Sequence, residues 1–323
     1  MLSDSKLLRK KNSPQSETFV ILNPAAGRGR AARVWSDVHD DMRAAIGEFG
    51  FRATNSGDDI ETLVSEALHE GYRRIVGVGG DGTMSLLMNA IMTNGAVPPS
   101  EVVMGQIPCG TVNVVANCLG LSTPRRAVEA LASANAKPVD VMRLDAADGR
   151  DGAARHGFVI VSVGLPVEAS RLTARMPLVK LLGGASYVLA GVLSVLGGRP
   201  RQFTLSTDND PPSIARAWGY FFCGFPGLVG EICFAPEAQF DDGLLDCVEI
   251  GPVSRGRMLA QILPAMKDGS YVRKAGMRVT QGTVFRIETP GPMQVEVDGE
   301  PAGVTPATVS IVPGAINMIY ADQ

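Results

Sequence analysis

The residues with the clearest chemical content are glycines, acids and hydroxyls gathered in short loops. The first loop runs Gly77-Val78-Gly79-Gly80-Asp81-Gly82-Thr83, after the apolar run Arg74–Val78 and before a helical pattern that reaches about Met92. Glycines at a helix start let backbone N–H groups approach phosphate oxygens, and Thr83 can cap the helix or offer its hydroxyl. The string also fits GxGxxG, with Glu101 downstream where a ribose-binding acid would stand. Asp81 argues against a plain dinucleotide fold, because a carboxylate beside pyrophosphate repels it unless a cation lies between them. An Asp in this turn fits Mg²⁺ and a triphosphate better; the alternative is a tight strand-to-helix turn with a capping Asp.

Two further loops share this design. Asn23-Pro24-Ala25-Ala26-Gly27-Arg28-Gly29 follows the run Thr18–Leu22, with Arg28 and Arg30 as candidate phosphate partners. Pro108-Cys109-Gly110-Thr111-Val112-Asn113 follows Val102–Ile107 and supplies Thr111 and Asn113 at a helix start, where an N-cap is the plainer reading. No GxxxxGK[ST] occurs, so a P-loop enzyme is excluded. Later in the chain come two acidic turns. Asp241-Asp242-Gly243-Leu244-Leu245-Asp246 could hold Mg²⁺ by carboxylate, and Asp298-Gly299-Glu300 places two carboxylates two residues apart. Six Asp-Gly pairs stand in the sequence, and Asp-Gly is a common hairpin signal, so each turn alone also reads as plain structure.

The elements that would position these loops fall into two kinds. From residue 18 to 137, apolar runs, glycine loops and helical patterns alternate, with a further strand near Phe51–Ala53 and a helix over Ile60–Glu70. That grammar predicts a three-layer α/β domain with a mostly parallel sheet, its ligand beyond the carboxyl ends of the strands. Residues 138–305 carry many short β-like runs with two helical stretches, near Leu178–Leu196 and Val253–Lys267. They predict an antiparallel β-sandwich domain, with a cleft between it and the first. The segment 306–323 could return to the first domain, and residues 1–17 read as a tail. Leu181–Gly198 is uncharged over eighteen residues but holds five glycines and two serines, so a packed or interfacial helix is expected there, not a spanning one.

Composition narrows the function. A net charge of −3 and 6% aromatics exclude a protein whose main partner is nucleic acid, which needs a basic face and stacking rings. Five cysteines without a CxxC pair and three histidines without metal-ligand spacing fit buried thiols in a reducing, cytoplasmic setting. The 37 glycines, with no repeat period, point to backbone pressed close to a ligand or to many tight turns.

Taken together, ILNPAAGRGRA, GVGGDGT, IPCGTVNVVANCLGL, LLGGASYVLAGV, FAPEAQFDDGLLDCVEI and VEVDGEP resemble, in this order, the diacylglycerol kinase catalytic-domain family, which includes bacterial soluble lipid kinases and sphingosine and ceramide kinases. The resemblance covers about residues 18–320. It implies ATP- and Mg²⁺-dependent phosphorylation of a lipid hydroxyl, diacylglycerol-like or sphingoid, by a protein that contacts membranes peripherally. It places nucleotide contacts at Asn23, Gly27, Thr54, Gly79, Gly80, Asp81, Gly82, Thr83, Met84, Ser85, Thr111 and Asn113. It places the metal at Asp242 with Gln239 and the Leu244 carbonyl, and the general base at Glu300 or Asp298, with Asp81 as rival. The family's frequent acids are replaced here by Leu86, Val114 and Pro166. GGDGT is shared with NAD kinases, so a soluble acceptor is the alternative activity, and a non-catalytic nucleotide- or lipid-binding regulator is the other. Strand edges in the β domain could pair two copies into a homodimer.

Overall fold

The computed structural model describes residues 17–322 apart from 56–58, 149–153, 176–184, 227 and 230–231. Residues 1–16 of the tail and residues 178–184 of the helical stretch expected near Leu178–Leu196 therefore lie outside the described residues. Four parallel strands form the amino-terminal sheet: β1 (Thr18–Leu22), β2 (Gly50–Ala53), β3 (Arg74–Gly79) and β4 (Val103–Pro108), in the order β2-β1-β3-β4. β1 and β3 are apolar and buried almost throughout, as parallel strands covered on both faces must be. Helix α1 (Ala26–Ile46) packs with α5 (Pro124–Ser133), and α2 (Asp59–His69) with α3 (Asp81–Thr93); a short α4 (Val114–Cys118) follows β4. The chain leaves β1 toward β2 and leaves β3 toward β4. The direction reverses between β1 and β3, and the crevice at such a switch point is where open α/β sheets bind ligands.

Beyond β5 (Ala136–Ala147) the chain is largely antiparallel. Its strands are β6 (Arg155–Gly157), β7 (Ile160–Gly164), β8 (Arg201–Thr207), β9 (Ser213–Ala217), β10 (Gly219–Cys223), β11 (Leu228–Val229), β12 (Ile232–Cys233), β13 (Leu245–Ile250), β14 (Met277–Gly282), β15 (Val284–Glu288), β16 (Gln294–Val297) and β17 (Glu300–Ile319). β14-β13-β10-β7-β16-β17 make one sheet, and β9-β8-β15 attach to β17 and face it. Between these layers lies an apolar core of Val161, Val163, Phe203, Tyr220, Phe222, Phe285, Val295 and Val297. β17 joins the two halves: its end pairs parallel with β4, Asn317 opposite Val103.

Strand alternation decides what happens on the other face of that sheet. Tyr220 and Phe222 point into the sandwich, so Phe221 points out, and Ile160 and Ser162 of β7 and Glu296 of β16 share its side. Water does not cover that face. Helix α6 (Leu165–Arg175), helix α7 (Ala185–Gly197) and the helical segment 255–265 pack over it. No described helix is long and apolar enough to cross a membrane.

Candidate active site

The three glycine loops meet at the switch point. Asn23 donates from Nδ2 to Thr83 Oγ1 at 3.1 Å, tying the β1 loop to the β3 loop. Arg30 donates to the Gly110 carbonyl at 2.7 Å, tying the first loop to the third. Asn113, in a left-handed conformation (φ 56°), accepts from the Gly110 N–H at 2.8 Å and donates back to its carbonyl at 3.1 Å. It caps no helix; it fastens the third loop to itself. Gly27, Arg28 and Gly29 are successive left-handed residues, and a Cβ on Gly27 would stand 2.1 Å from the Cys109 carbonyl oxygen.

The other predicted nucleotide residues take distinct places. Thr54 is buried with its N–H on the Leu22 carbonyl at 2.8 Å. Gly79 packs on Thr83, Gly80 packs on Gly110, Gly82 faces open space, and Thr111 is exposed on its loop. Ser85 accepts on its carbonyl from Asn89. Met84 has its side chain wholly in the core and its N–H on the Gly80 carbonyl at 3.1 Å.

Below these loops a cavity of about 400 Å³ runs between the two halves of the molecule. Asp81 and Val115 line it from the α/β side; Phe221, Ile250, Met258 and Leu263 give it an apolar wall from the β side. Asp298, Gly299 and Glu300 close the acidic end beside Asp81.

The carboxylates there differ in what already holds them. Asp81 Oδ1 is buried without a hydrogen-bond partner. Burial raises the Asp81 carboxyl above its ordinary range, while the amides of Val115, Asn113 and Val114 pull it down. Asp298 is engaged: Oδ2 accepts from the Phe158 N–H, and Oδ1 from the N–H groups of Val159 and Ile160, all at 2.9 Å. Burial still raises its carboxyl, and Asp81 adds to the rise. Glu300 is exposed at the rim.

Sequence reasoning missed Glu296. It is 2% exposed and lines the same cavity. Burial raises its carboxyl to about 7, the Ser170 hydroxyl and Arg171 pull it down, and Glu300 pushes it up again. In the alternating run Gln294–Val297 it reads as a solvent-facing residue, and only the helices folded over β16 bury it. The folded chain holds this proton more tightly than the unfolded chain, whose carboxyl titrates near 4.5. The stability it contributes is therefore complete below about pH 4.5 and is lost as pH rises to about 7. Glu296→Gln is expected to raise stability at pH 8 by up to about 3 kcal/mol and to change it little at pH 5. Urea unfolding at the two pH values checks this; a gain of equal size at both would contradict it.

The predicted metal turn stands apart from the cavity. Asp242 accepts from the Leu244 N–H at 3.0 Å, Asp241 faces Lys137 Nζ at 3.7 Å, and Asp140 holds Gly243 and Gly314 by their N–H groups at 2.7 Å. Gln239 and Asp242 are exposed, and neither they nor Leu244 lines the cavity wall. The described residues contain no group of three or more His, Cys, Asp or Glu arranged to hold a metal unaided. Asp81 fits a cation shared with a phosphate better, because its Oδ1 is buried and lacks any partner.

Residues 17–144 match the model of the diacylglycerol kinase catalytic domain, and residues 159–320 match that of the YegS C-terminal NAD kinase beta sandwich-like domain. A Stenotrophomonas maltophilia protein named "Probable lipid kinase YegS-like" is 27% identical over 87% of this chain and 91% of its own. A Pseudomonas aeruginosa protein of the same name is 26% identical over 87% and 89%. The crystal structure of a diacylglycerol kinase from Bacillus anthracis shares the fold, with a TM-score of 0.68 and 19% identity over 94% of this chain and 96% of that chain. The loops, the cavity and both domain matches run through one chain in one order, and the chain belongs to the diacylglycerol kinase catalytic-domain family, in the branch with the YegS-type carboxy-terminal domain.

Proposed function

We propose that the protein is an ATP- and Mg²⁺-dependent lipid kinase that transfers the γ-phosphoryl group to a lipid hydroxyl. The observation that carries this reading is the single cavity with carboxylates at one end, glycine loops above and an apolar wall beyond. Phosphoryl transfer needs positioning and charge neutralisation more than covalent chemistry. N–H groups of the three loops receive the phosphates at the starts of α3 and α4. Asp81 faces the γ-phosphate end, where Mg²⁺, once bound, supplies neutralisation of phosphate charge.

The lipid hydroxyl oxygen forms the new bond to phosphorus as the bond to the bridging oxygen of ADP breaks, and its proton passes to a carboxylate. Glu300 is the acceptor we assign, since its oxygens are unengaged. Asp298 is a positioning residue: it locks the turn that carries Glu300 to the start of β7. The Asp242 turn, with Gln239 and the Leu244 carbonyl, holds at most a second cation away from the reaction. Incubation of the purified protein with labelled ATP and a total lipid extract, with NAD offered alongside, tests the reading. Label in a lipid product supports it; label in NADP alone overturns it.

The protein meets its substrate at a membrane surface from the cytoplasm. Leu189, Leu193 and Leu196 are 37%, 38% and 53% exposed along one face of α7. After α7 in the chain, Arg199, Arg201 and Arg216 line a cleft, with Arg201 paired to Glu168 at 2.8 Å. Replacing Leu193 and Leu196 together by Ser is expected to weaken binding to phosphatidylglycerol-rich vesicles about tenfold or more. Sedimentation with vesicles measures it, and unchanged binding would remove α7 from the membrane contact.

A further inference from the structure

Asn89 is half-buried in the interior of α3, on the helix face that Asp81 and Ser85 begin. Asparagine suits a helix interior poorly, because its amide competes with the backbone for hydrogen bonds. Here that amide is used at long range. Nδ2 donates to the His156 carbonyl at 2.9 Å, and Oδ1 accepts from the His156 N–H at 3.0 Å. Nδ2 donates as well to the Ser85 carbonyl at 2.9 Å, which fixes the side chain in place. β6 pairs with β5 on one side, with Arg143 opposite His156. On its other side the Asn89 amide gives His156 the donor and acceptor that a neighbouring strand would give. A helix of the α/β half is thereby joined to a strand of the β half.

Each end of this tie leads to a carboxylate of the candidate site. Asp81 opens α3, about 12 Å back along the helix axis. The residues directly after His156 hold the acidic turn. A Cβ on Gly157 would stand 2.4 Å from Val297 Cγ1 and 3.2 Å from Asp298 Oδ2. Phe158, Val159 and Ile160 give their N–H groups to the Asp298 carboxylate, and the Asp298 N–H returns to the Ile160 carbonyl at 2.8 Å. The pairing of β17 with β4 also joins the halves, but at Asn317 and Met318, the far end of β17 from Glu300.

We propose that Asn89 is a positioning residue for phosphoryl transfer: by gripping the His156 main chain it sets the Asp298-Gly299-Glu300 turn against Asp81. The proposal deepens the lipid-kinase reading and rests on it. Asn89 touches neither substrate. It fixes the distance between the group that faces the phosphate and the group that takes the hydroxyl proton, which stand on different halves of the molecule. Without the tie, that distance depends on the long lever of β17.

The test uses Asn89→Leu, which keeps the size and loses both bonds, and Asn89→Ser, which is too short to span to His156 and serves should the first not fold. With labelled ATP and the lipid extract, kcat is expected to fall about 10²-fold, the effect of a misplacement of about 1 Å at the reacting groups. The dissociation constant for MgATP should stay within about twofold of the wild type, because the glycine loops are tied through Asn23, Arg30 and Asn113 and not through Asn89. Amide hydrogen exchange gives a readout independent of activity. The N–H groups of His156 and Asp298 should exchange about tenfold faster or more in the variants, while those of β3 keep their wild-type rates. Exchange that rises equally in β3 means general loosening and overturns the positioning role. Wild-type kcat overturns it too, as does MgATP affinity lost along with turnover. If the wild type labels no lipid, the lipid-kinase reading fails. The exchange rates then decide alone: faster exchange at His156 and Asp298 supports the placement of the turn by Asn89, and wild-type rates overturn it.

Discussion

Asp81→Asn is expected to lower kcat by roughly 10²–10⁴-fold with little change in folding stability. The residue opens α3 at the switch point, and its Oδ1 is buried without a partner, whereas Asn23, Thr83 and Asn113 around it are hydrogen-bonded. An engaged carboxylate such as Asp298 supports structure, and removing it costs stability first. Asp81 is bonded by the amides that open α4 yet keeps Oδ1 without a partner, so part of its charge is left for what arrives. The isosteric Asn keeps the shape and loses the charge. Nucleotide affinity measured without a divalent cation should then be unchanged or tighter, because repulsion between carboxylate and phosphate is gone. Affinity measured with Mg²⁺ should weaken. Titration of ATP with and without Mg²⁺, set beside turnover, separates these effects. A variant with wild-type turnover would remove Asp81 from the chemistry and leave Glu300 to account for it.

Much of this site is legible in the sequence because its demands are local. A glycine loop after an apolar run fixes the strand, the turn and the helix start at once, and three such loops in order imply the crevice where they meet. The acidic turn Asp298-Gly299-Glu300 carries its own hairpin signal. What the sequence hides depends on contacts between distant segments. β17 runs for twenty residues, but Pro306, Pro313 and Gly314 punctuate it, and it reads as two short strands. Its pairing with β5 absorbs those residues in register shifts between Val304 and Ala307 and between Val312 and Ile316. Glu296 reads as solvent-facing for a similar reason: nothing in Gln294–Val297 announces that α6 will cover it. Asn113 reads as an N-cap, and only the left-handed backbone turns its side chain back onto Gly110. Helix α5 is a different case, since Thr123 caps it and Pro124 opens it. Both signals are present in the sequence, directly before the alanine-rich stretch that forms the helix.

The glycines themselves yield the second large effect. Gly110→Ala is expected to raise the KM for ATP by more than about tenfold and to cost roughly 1–3 kcal/mol of stability. Its Cβ would stand 2.7 Å from the Gly80 Cα and 2.6 Å from Asn113 Oδ1. The first neighbour is backbone and cannot swing aside; the second is held by its own hydrogen bond to the Gly110 N–H. The Gly110 carbonyl meanwhile receives Arg30 from the first loop. One methyl group therefore pushes apart all three glycine loops. Gly82→Ala supplies the contrast. Gly82 is exposed at the start of α3, and a Cβ there meets nothing within 4 Å, so that variant should fold with wild-type stability. Weaker ATP binding in Gly82→Ala without destabilisation would then report contact with the nucleotide itself, because no protein atom is near enough to be displaced. Thermal melting of both variants with and without MgATP makes the distinction. Gly110→Ala should melt lower and respond weakly to nucleotide, and a wild-type response from it would show that the loops bind phosphate independently of their mutual packing.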